Sequence, residues 1–368
     1  MKLIEKSRII LGKYWAGLLL VLLVLVLGLI AVRFSPVIAY VLFALCTVMM
    51  FGVMVTWARN LRLPPPKGDV HIINGKQVHI IAEGESGDNH PVIWVTGGHG
   101  EGLGMYHLHK VMRKETRSIL FDRTGSGWTG PAREPVTISG EVEQLKMLLE
   151  AAGEKGPFIL AGHSFGGLFS ANFAHHYPDL VAAVILLDST PPWNVAFIGK
   201  LSFSVVLRKA WWGALASHFG LQHLVEVEID DPGSAHAREL YDVTTVVNAH
   251  SVQPKSLLAE ASVFKSCMDN PLDLVIGKDD LGEIPLLLIS ANPSAEEEAE
   301  LRTQLQGMMG LSESQTDNLL HGLRDSNDQQ VALSSCGRHM LMPEGASHMF
   351  PYEMPELVLT EVRKMMST

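Results

Sequence analysis

A serine hydroxyl is a weak nucleophile until a neighbouring base takes its proton. In this sequence of 368 residues, Gly162-His163-Ser164-Phe165-Gly166, extended by Gly167, has the spacing G-x-S-x-G. That spacing has a mechanical meaning. The serine occupies a sharp turn between a strand and a helix, and the glycines let neighbouring chains pass closely. The context is the required one, because the apolar run Phe158–Ala161 precedes the turn and a helix-like run follows it. Ser164 is therefore the candidate nucleophile. The candidate base is His348, in Gly345-Ala346-Ser347-His348, between the last strand-like run and the closing helix. Three other histidines compete with it: His339 at the start of that run, His321 in a polar stretch that reads as loop, and His163 inside the elbow, where packing is its expected role. A third group, a carboxylate, must hold the imidazole in the correct tautomer. Asp188, in Leu186-Leu187-Asp188-Ser189-Thr190, is favoured, with Glu296, Glu297 and Glu298 next, since such a triad is defined by geometry and not by position.

These residues need a scaffold, and the patterning supplies one. Val70–Ile73 and Gln77–Ala82 read as a hairpin turned at Asn74-Gly75, a pair that favours type I′ turns. Short apolar runs at Pro91–Val95, Ser118–Phe121, Phe158–Ala161, Val181–Leu187, Leu286–Ser290 and His339–Met342 read as strands. Helical spacing separates them near 103–115, at 138–152 (Val142, Leu145, Leu148, Leu149), after Ser164, at 295–306 and at 355–366. Strands alternating with helices predict a mostly parallel sheet covered on both faces.

Two further segments carry a family resemblance. Gly98-His99-Gly100 and Asp122-Arg123-Thr124-Gly125-Ser126-Gly127-Trp128, together with the elbow and the late His348, resemble the α/β-hydrolase superfamily over about residues 70–368. The resemblance implies an α/β-hydrolase fold with a helical lid. It also implies an oxyanion hole made of backbone N–H groups, one from Phe165 and one from His99. Asp122 and Arg123 are expected to brace a loop. Members of this superfamily commonly carry the triad acid after the seventh strand. Here that place reads Ser290-Ala291-Asn292-Pro293-Ser294, without an Asp, which is why Asp188 at the end of the sixth strand is favoured.

The N-terminus has a different character. Residues 14–32 and 34–58 contain no charged side chain, and a spanning helix needs about 20 apolar residues. Only Arg33 separates them, with Ser35 and Pro36 forming a natural turn, so a two-helix membrane hairpin over 1–60 is expected in place of a cleaved signal peptide. Lys2, Lys6, Arg8 and Lys13 precede the first run, and Arg59, Arg62 and Lys67 follow the second. The positive-inside rule then places both ends, and the catalytic domain, in the cytoplasm. Residues 61–69, with Pro64, Pro65 and Pro66, form a stiff linker. The hydrolase core is expected over 70–188 and 284–368, and a lid over 189–283.

That lid region opens with Trp193, Phe197, Phe203, Trp211, Trp212 and Phe219. A greasy lid beside a membrane anchor points to membrane lipid and a small hydrophobic acyl substrate as the partners. Residues 1–67 carry a balance of +7, whereas the whole chain carries −10, leaving −17 for residues 68–368. So acidic a domain excludes nucleic acid as a ligand. Cys46, Cys267 and Cys336 show no zinc-like or disulfide pattern. His107/His109 and His175/His176 lack a third metal ligand, and no metal or cofactor is expected. The expected function is hydrolysis of an ester or acyl bond through an acyl-enzyme. The same triad acting on a carbon–carbon or amide bond or as a perhydrolase, and an inactive membrane scaffold, are the alternatives. Epoxide and haloalkane hydrolases are disfavoured because their nucleophile is normally Asp.

Overall fold

A computed structural model of the chain describes residues 2–98, 100–132, 135–191, 210, 212–221, 246, 249–251, 253–269 and 277–366. Its centre is an eight-stranded sheet: β1 (Asp69–Ile73), β2 (Lys76–Glu83), β3 (Val92–Val95), β4 (Ser118–Phe121), β5 (Phe158–His163), β6 (Val181–Leu187), β7 (Leu286–Ser290) and β8 (Gly337–Leu341). The spatial order is β1-β2-β4-β3-β5-β6-β7-β8. β1 and β2 form an antiparallel hairpin, β2 runs antiparallel to β4, and every pairing from β4 onward is parallel. The hairpin closes through Asn74 and Gly75, both at positive φ, as a type I′ turn requires.

The central strands Val-Ile-Trp-Val, Phe-Ile-Leu-Ala-Gly-His and Leu-Leu-Leu-Ile-Ser are buried along their whole length. Such runs arise because a parallel sheet is covered on both faces. On one face lie α4 (Ile138–Ala152), α5 (Phe165–His176) and α6 (Pro254–Asp269). On the other lie α3 (Tyr106–Met112) and the closing helix, Pro355–Met366, which buries Val358, Leu359 and Val362. α4 shows how locally these helices are specified. The Thr137 hydroxyl accepts from Gly140 N at 3.0 Å, and Gly153 ends the helix in the left-handed region at φ 75°. Between those caps Val142, Leu145, Leu148 and Leu149 form the buried stripe.

Two helices precede the sheet: α1 (Lys2–Ala31) and α2 (Pro36–Leu61). They pack as a hairpin and bury Val21, Ala39 and Val53 between them. Leu22, Leu29, Phe34, Val41 and Phe51 remain exposed on the outside. An apolar surface of this extent marks a membrane or partner contact. By length and composition α2 can cross a membrane, and in α1 the shorter apolar stretch Gly17–Ala31 lies beside it.

Two differences from the sequence reading stand out. After β7 the chain forms two helices, α7 (Ala295–Met309) and α8 (Glu313–Val331), so His321 lies in a helix where the sequence suggested a loop. Most of the aromatic half of the expected lid, including Trp193, Phe197, Phe203 and Trp211, lies outside the described residues. Trp212 and Phe219 are described and belong to the segment 212–221.

Candidate active site

β5 ends at His163, and α5 begins at Phe165. Ser164 between them adopts φ 52° and ψ −122°, a region that L-residues seldom occupy. The surroundings over-determine this strain. A Cβ added to Gly162 would lie 2.5 Å from the Gly166 carbonyl carbon, and one on Gly166 would lie 2.8 Å from that of Val95. Only glycine permits both crossings, and together they project the serine out of the sheet. The Ser164 hydroxyl has Thr190 Oγ1 at 3.5 Å. Phe165 is the first residue of α5, so its N–H has no acceptor one turn back.

The structure brings His348 and Asp188 to the same place. β7 and β8 are parallel neighbours, and the loops after them are tied together: Asn292 N donates to Ala346 O and Gly345 N to Asn292 O, both at 2.9 Å. Asn292 also donates through Nδ2 to Met342 O at 3.1 Å, so it serves as a structural tie between the two loops. This tie sets His348 beside the end of β6. There Asp188, at φ 42°, receives His348 Nδ1 on Oδ2 at 2.6 Å and Ala291 N on Oδ1 at 2.9 Å. Burial pushes the Asp188 carboxyl up. The hydrogen bond and charge of His348 and the Ala291 N–H outweigh it, and the net shift is downward. The carboxylate is thus ionised at neutral pH, and it fixes the His348 proton on Nδ1 and leaves Nε2 as the basic nitrogen.

His163 supports this geometry. Its Nε2–H donates to the backbone oxygen of His348 at 2.9 Å, and the two rings lie 4.6 Å apart. Burial, and then the nearby His348, lowers its pKa to about 3, so it stays neutral and acts on the loop as a fixed donor. The competing acids lie elsewhere. Glu297 caps its own helix by accepting from Ser294 N at 2.7 Å, Glu298 pairs with Arg302 at 3.1 Å, and Glu296 is exposed. His339 binds Ser290 Oγ at 3.0 Å, and the exposed His321 donates to Asp317 O at 2.8 Å.

The loop after β4 braces the site. Asp122 accepts from Gly102 N at 2.8 Å, from Trp128 N at 2.9 Å and from His79 Nδ1 at 2.7 Å. Arg123 donates to the carbonyls of Thr96, Gly97 and Gly98, holding the loop after β3 from behind. Burial lowers its pKa to about 10, so it remains charged. His99, expected to supply an oxyanion N–H, lies outside the described residues. Ser164, His348, Gly97, Gly98 and Gly100 line one cavity of about 350 Å3. Two residues unforeseen from sequence line it as well: Glu101, directly after the Gly-x-Gly loop, and His250, which precedes α6. The signal for Glu101 was its adjacency to that loop. A lone histidine in a segment without periodicity gave none for His250.

The sheet order, the elbow and the late histidine meet the definition of a known architecture, and the comparisons agree. Residues 91–227 match the family model described as alpha/beta hydrolase fold. The chain has an α/β-hydrolase fold. An enol-lactonase from Burkholderia xenovorans LB400 superposes with a TM-score of 0.52 at 17% identity, covering 82% of this chain and 100% of that one. The chain is also similar in sequence to a human (lyso)-N-acylphosphatidylethanolamine lipase, 29% identical over 140 residues, which are 37% of this chain and 40% of that protein. An uncharacterized vacuolar membrane protein of Saccharomyces cerevisiae (strain YJM789) is 35% identical over 86 residues, 23% of this chain and 13% of that one. The matches thus span less than half the length of these curated relatives.

Proposed function

We propose that this protein is a membrane-anchored serine hydrolase that cleaves an ester or acyl bond of a hydrophobic substrate. The observation that carries this reading is the His348–Asp188 hydrogen bond of 2.6 Å, in a loop that shares its cavity with the strained Ser164. In the proposed reaction His348 Nε2 takes the Ser164 proton as the hydroxyl oxygen attacks the substrate carbonyl carbon. The oxyanion that forms receives N–H groups of Phe165 and of the Gly98-His99-Gly100 loop. Collapse of that intermediate expels the leaving alcohol, which takes its proton from the imidazolium. Water then repeats the sequence on the acyl-enzyme, releasing the acid. Asp188 holds the tautomer and stabilises the imidazolium throughout.

In the same reading α1 and α2 both span the bilayer, with the basic flanks and the hydrolase domain in the cytoplasm. The lid favours a substrate drawn from lipid. Segment 212–221 is seated on the hairpin: a Cβ on Gly17 would lie 3.3 Å from His218 Cβ, and one on Gly52 would lie 3.2 Å from Phe219 Cα. Trp212 on this segment is 68% exposed, as befits an aromatic side chain at a membrane interface. The lipase among the relatives acts on a lipid, which agrees with an acyl substrate here. The test is to label membranes holding the full chain with a fluorophosphonate probe, then to assay p-nitrophenyl esters of rising chain length. Labelling at Ser164 and a preference for the longer acyl chains are expected. Absence of both would remove the proposal.

A further inference from the structure

A carboxylate placed inside a hydrolase cavity needs an explanation, because an ester and its acyl chain offer it no hydrogen. Glu101 is such a carboxylate. It follows the Gly98-His99-Gly100 loop and precedes a short 3₁₀ turn, Gly102–Met105, which its side chain does not cap. The residue is 7% exposed and lines the cavity with Ser164 and His348. Its Oε2 lies 2.7 Å from Nδ1 of His250, a residue that is itself 3% exposed and lines the same cavity. The imidazole is further oriented by an edge-on contact with Trp128, with ring centres 4.6 Å apart at 81°. The other oxygen, Oε1, is buried and has no hydrogen-bond partner among the described residues. A buried acceptor left without a donor carries a desolvation cost, and a carboxylate carries a larger one than a neutral group.

Resting on the hydrolase reading, the geometry points to Glu101, held by His250, as a specificity subsite for a hydroxyl group that the substrate carries near its scissile ester. The substrate class is then a hydroxyl-bearing ester, such as a partial ester of a polyol, and not a simple alkyl ester. A hydroxyl fits better than an ammonium group. Around this one carboxylate the cavity wall holds three imidazoles, of His163, His250 and His348, and one Glu101 oxygen is already engaged. Such a wall offers a cation little countercharge, whereas a neutral O–H needs only the one free acceptor. Discrimination of this kind can be large, because an analogue lacking the hydroxyl leaves Oε1 buried and unpaired.

The test compares three esters of one fatty acid, the glyceryl, propyl and choline esters, with the full chain in detergent micelles. For the wild type, kcat/KM for the glyceryl ester is expected to exceed that for the propyl ester by about tenfold or more. In Glu101→Ala that ratio is expected to fall to about one, and in His250→Ala to fall part of the way. Fluorophosphonate labelling of each variant reports that the elbow has folded. A merely structural pair would lower both esters together and leave the ratio unchanged, and that result overturns the subsite. So does a wild-type ratio near one. If the choline ester is preferred and Glu101→Gln abolishes the preference, the subsite takes a cation and the hydroxyl assignment is wrong. Turnover of the propyl ester through Ser164 without selectivity refutes the subsite alone. No turnover of any ester and no labelling at Ser164 refute the hydrolase reading with it.

Discussion

The substitution Asp188→Asn isolates the acid with little steric change. Asn is among the residues that best tolerate positive φ, so the backbone at φ 42° is expected to persist. The amide must then choose between two orientations, and Ala291 decides. Its N–H donates to Asp188 Oδ1 at 2.9 Å, so the Asn oxygen stays on that side and the NH2 group faces His348 Nδ1 across 2.6 Å. Flipping the amide would set NH2 against the Ala291 N–H and leave a half-buried donor unpaired, at a cost of about 1–3 kcal/mol. Facing an NH2 group, His348 Nδ1 can only accept. The ring proton moves to Nε2, and the nitrogen that must take the Ser164 proton is blocked. Loss of the tautomer and of the charge that stabilises imidazolium costs about three to four powers of ten in kcat, or about 4–5.5 kcal/mol. Pre-steady-state hydrolysis of a p-nitrophenyl ester, with thermal melting as the folding control, measures it. Near-normal turnover in Asp188→Asn, with collapse in Glu296→Gln, Glu297→Gln or Glu298→Gln, would show that the acid lies after β7 and that the reasoning is wrong.

Three other expectations follow from the same geometry. Glu296→Gln, Glu297→Gln and Glu298→Gln should each keep turnover within about tenfold, since these side chains cap a helix, pair with Arg302 or face solvent. His79 donates from Nδ1 to Asp122 and from Nε2 to Lys67 O at 2.5 Å. Burial lowers its pKa but the Asp122 carboxylate more than compensates, so the folded value is raised above 6.5. The stability it confers is fully present below about pH 6.5 and is lost as the pH rises through the folded value. Melting temperature should therefore decline over that alkaline limb, and His79→Gln should flatten the decline; parallel curves would contradict this. A reporter fused to the C-terminus should read as cytoplasmic, and Lys/Arg→Gln changes in both flanks should weaken that orientation.

What could be read in the sequence was what local chemistry dictates. The Asn74-Gly75 turn, the apolar β5–β7 strands and the glycine spacing around Ser164 each leave a local pattern, because each solves a local steric problem. Helix Glu313–Val331 did not. It buries Thr316, Ser326 and Gln330 alongside Leu319 and Leu320, so its inner face carries no clean apolar stripe. Its one legible mark was the capping box of Ser312 and Gln315. The pairing of Glu101 with His250 spans 149 residues and arises only when the segment carrying His250 packs against the turn after the Gly98-His99-Gly100 loop. The role of Asn292 was equally hidden, since its tie to Ala346 depends on β7 and β8 being neighbours.

The central claim is that Ser164 is an activated nucleophile. Its most direct test is fluorophosphonate labelling of membranes carrying the wild type and Ser164→Ala, followed by mapping of the modified peptide. Removing one oxygen from an elbow held by Gly162 and Gly166 leaves the fold intact, so the two proteins should melt alike. Labelling on Ser164 in the wild type and none in the variant is the expected result. Undiminished labelling of a folded Ser164→Ala would contradict it.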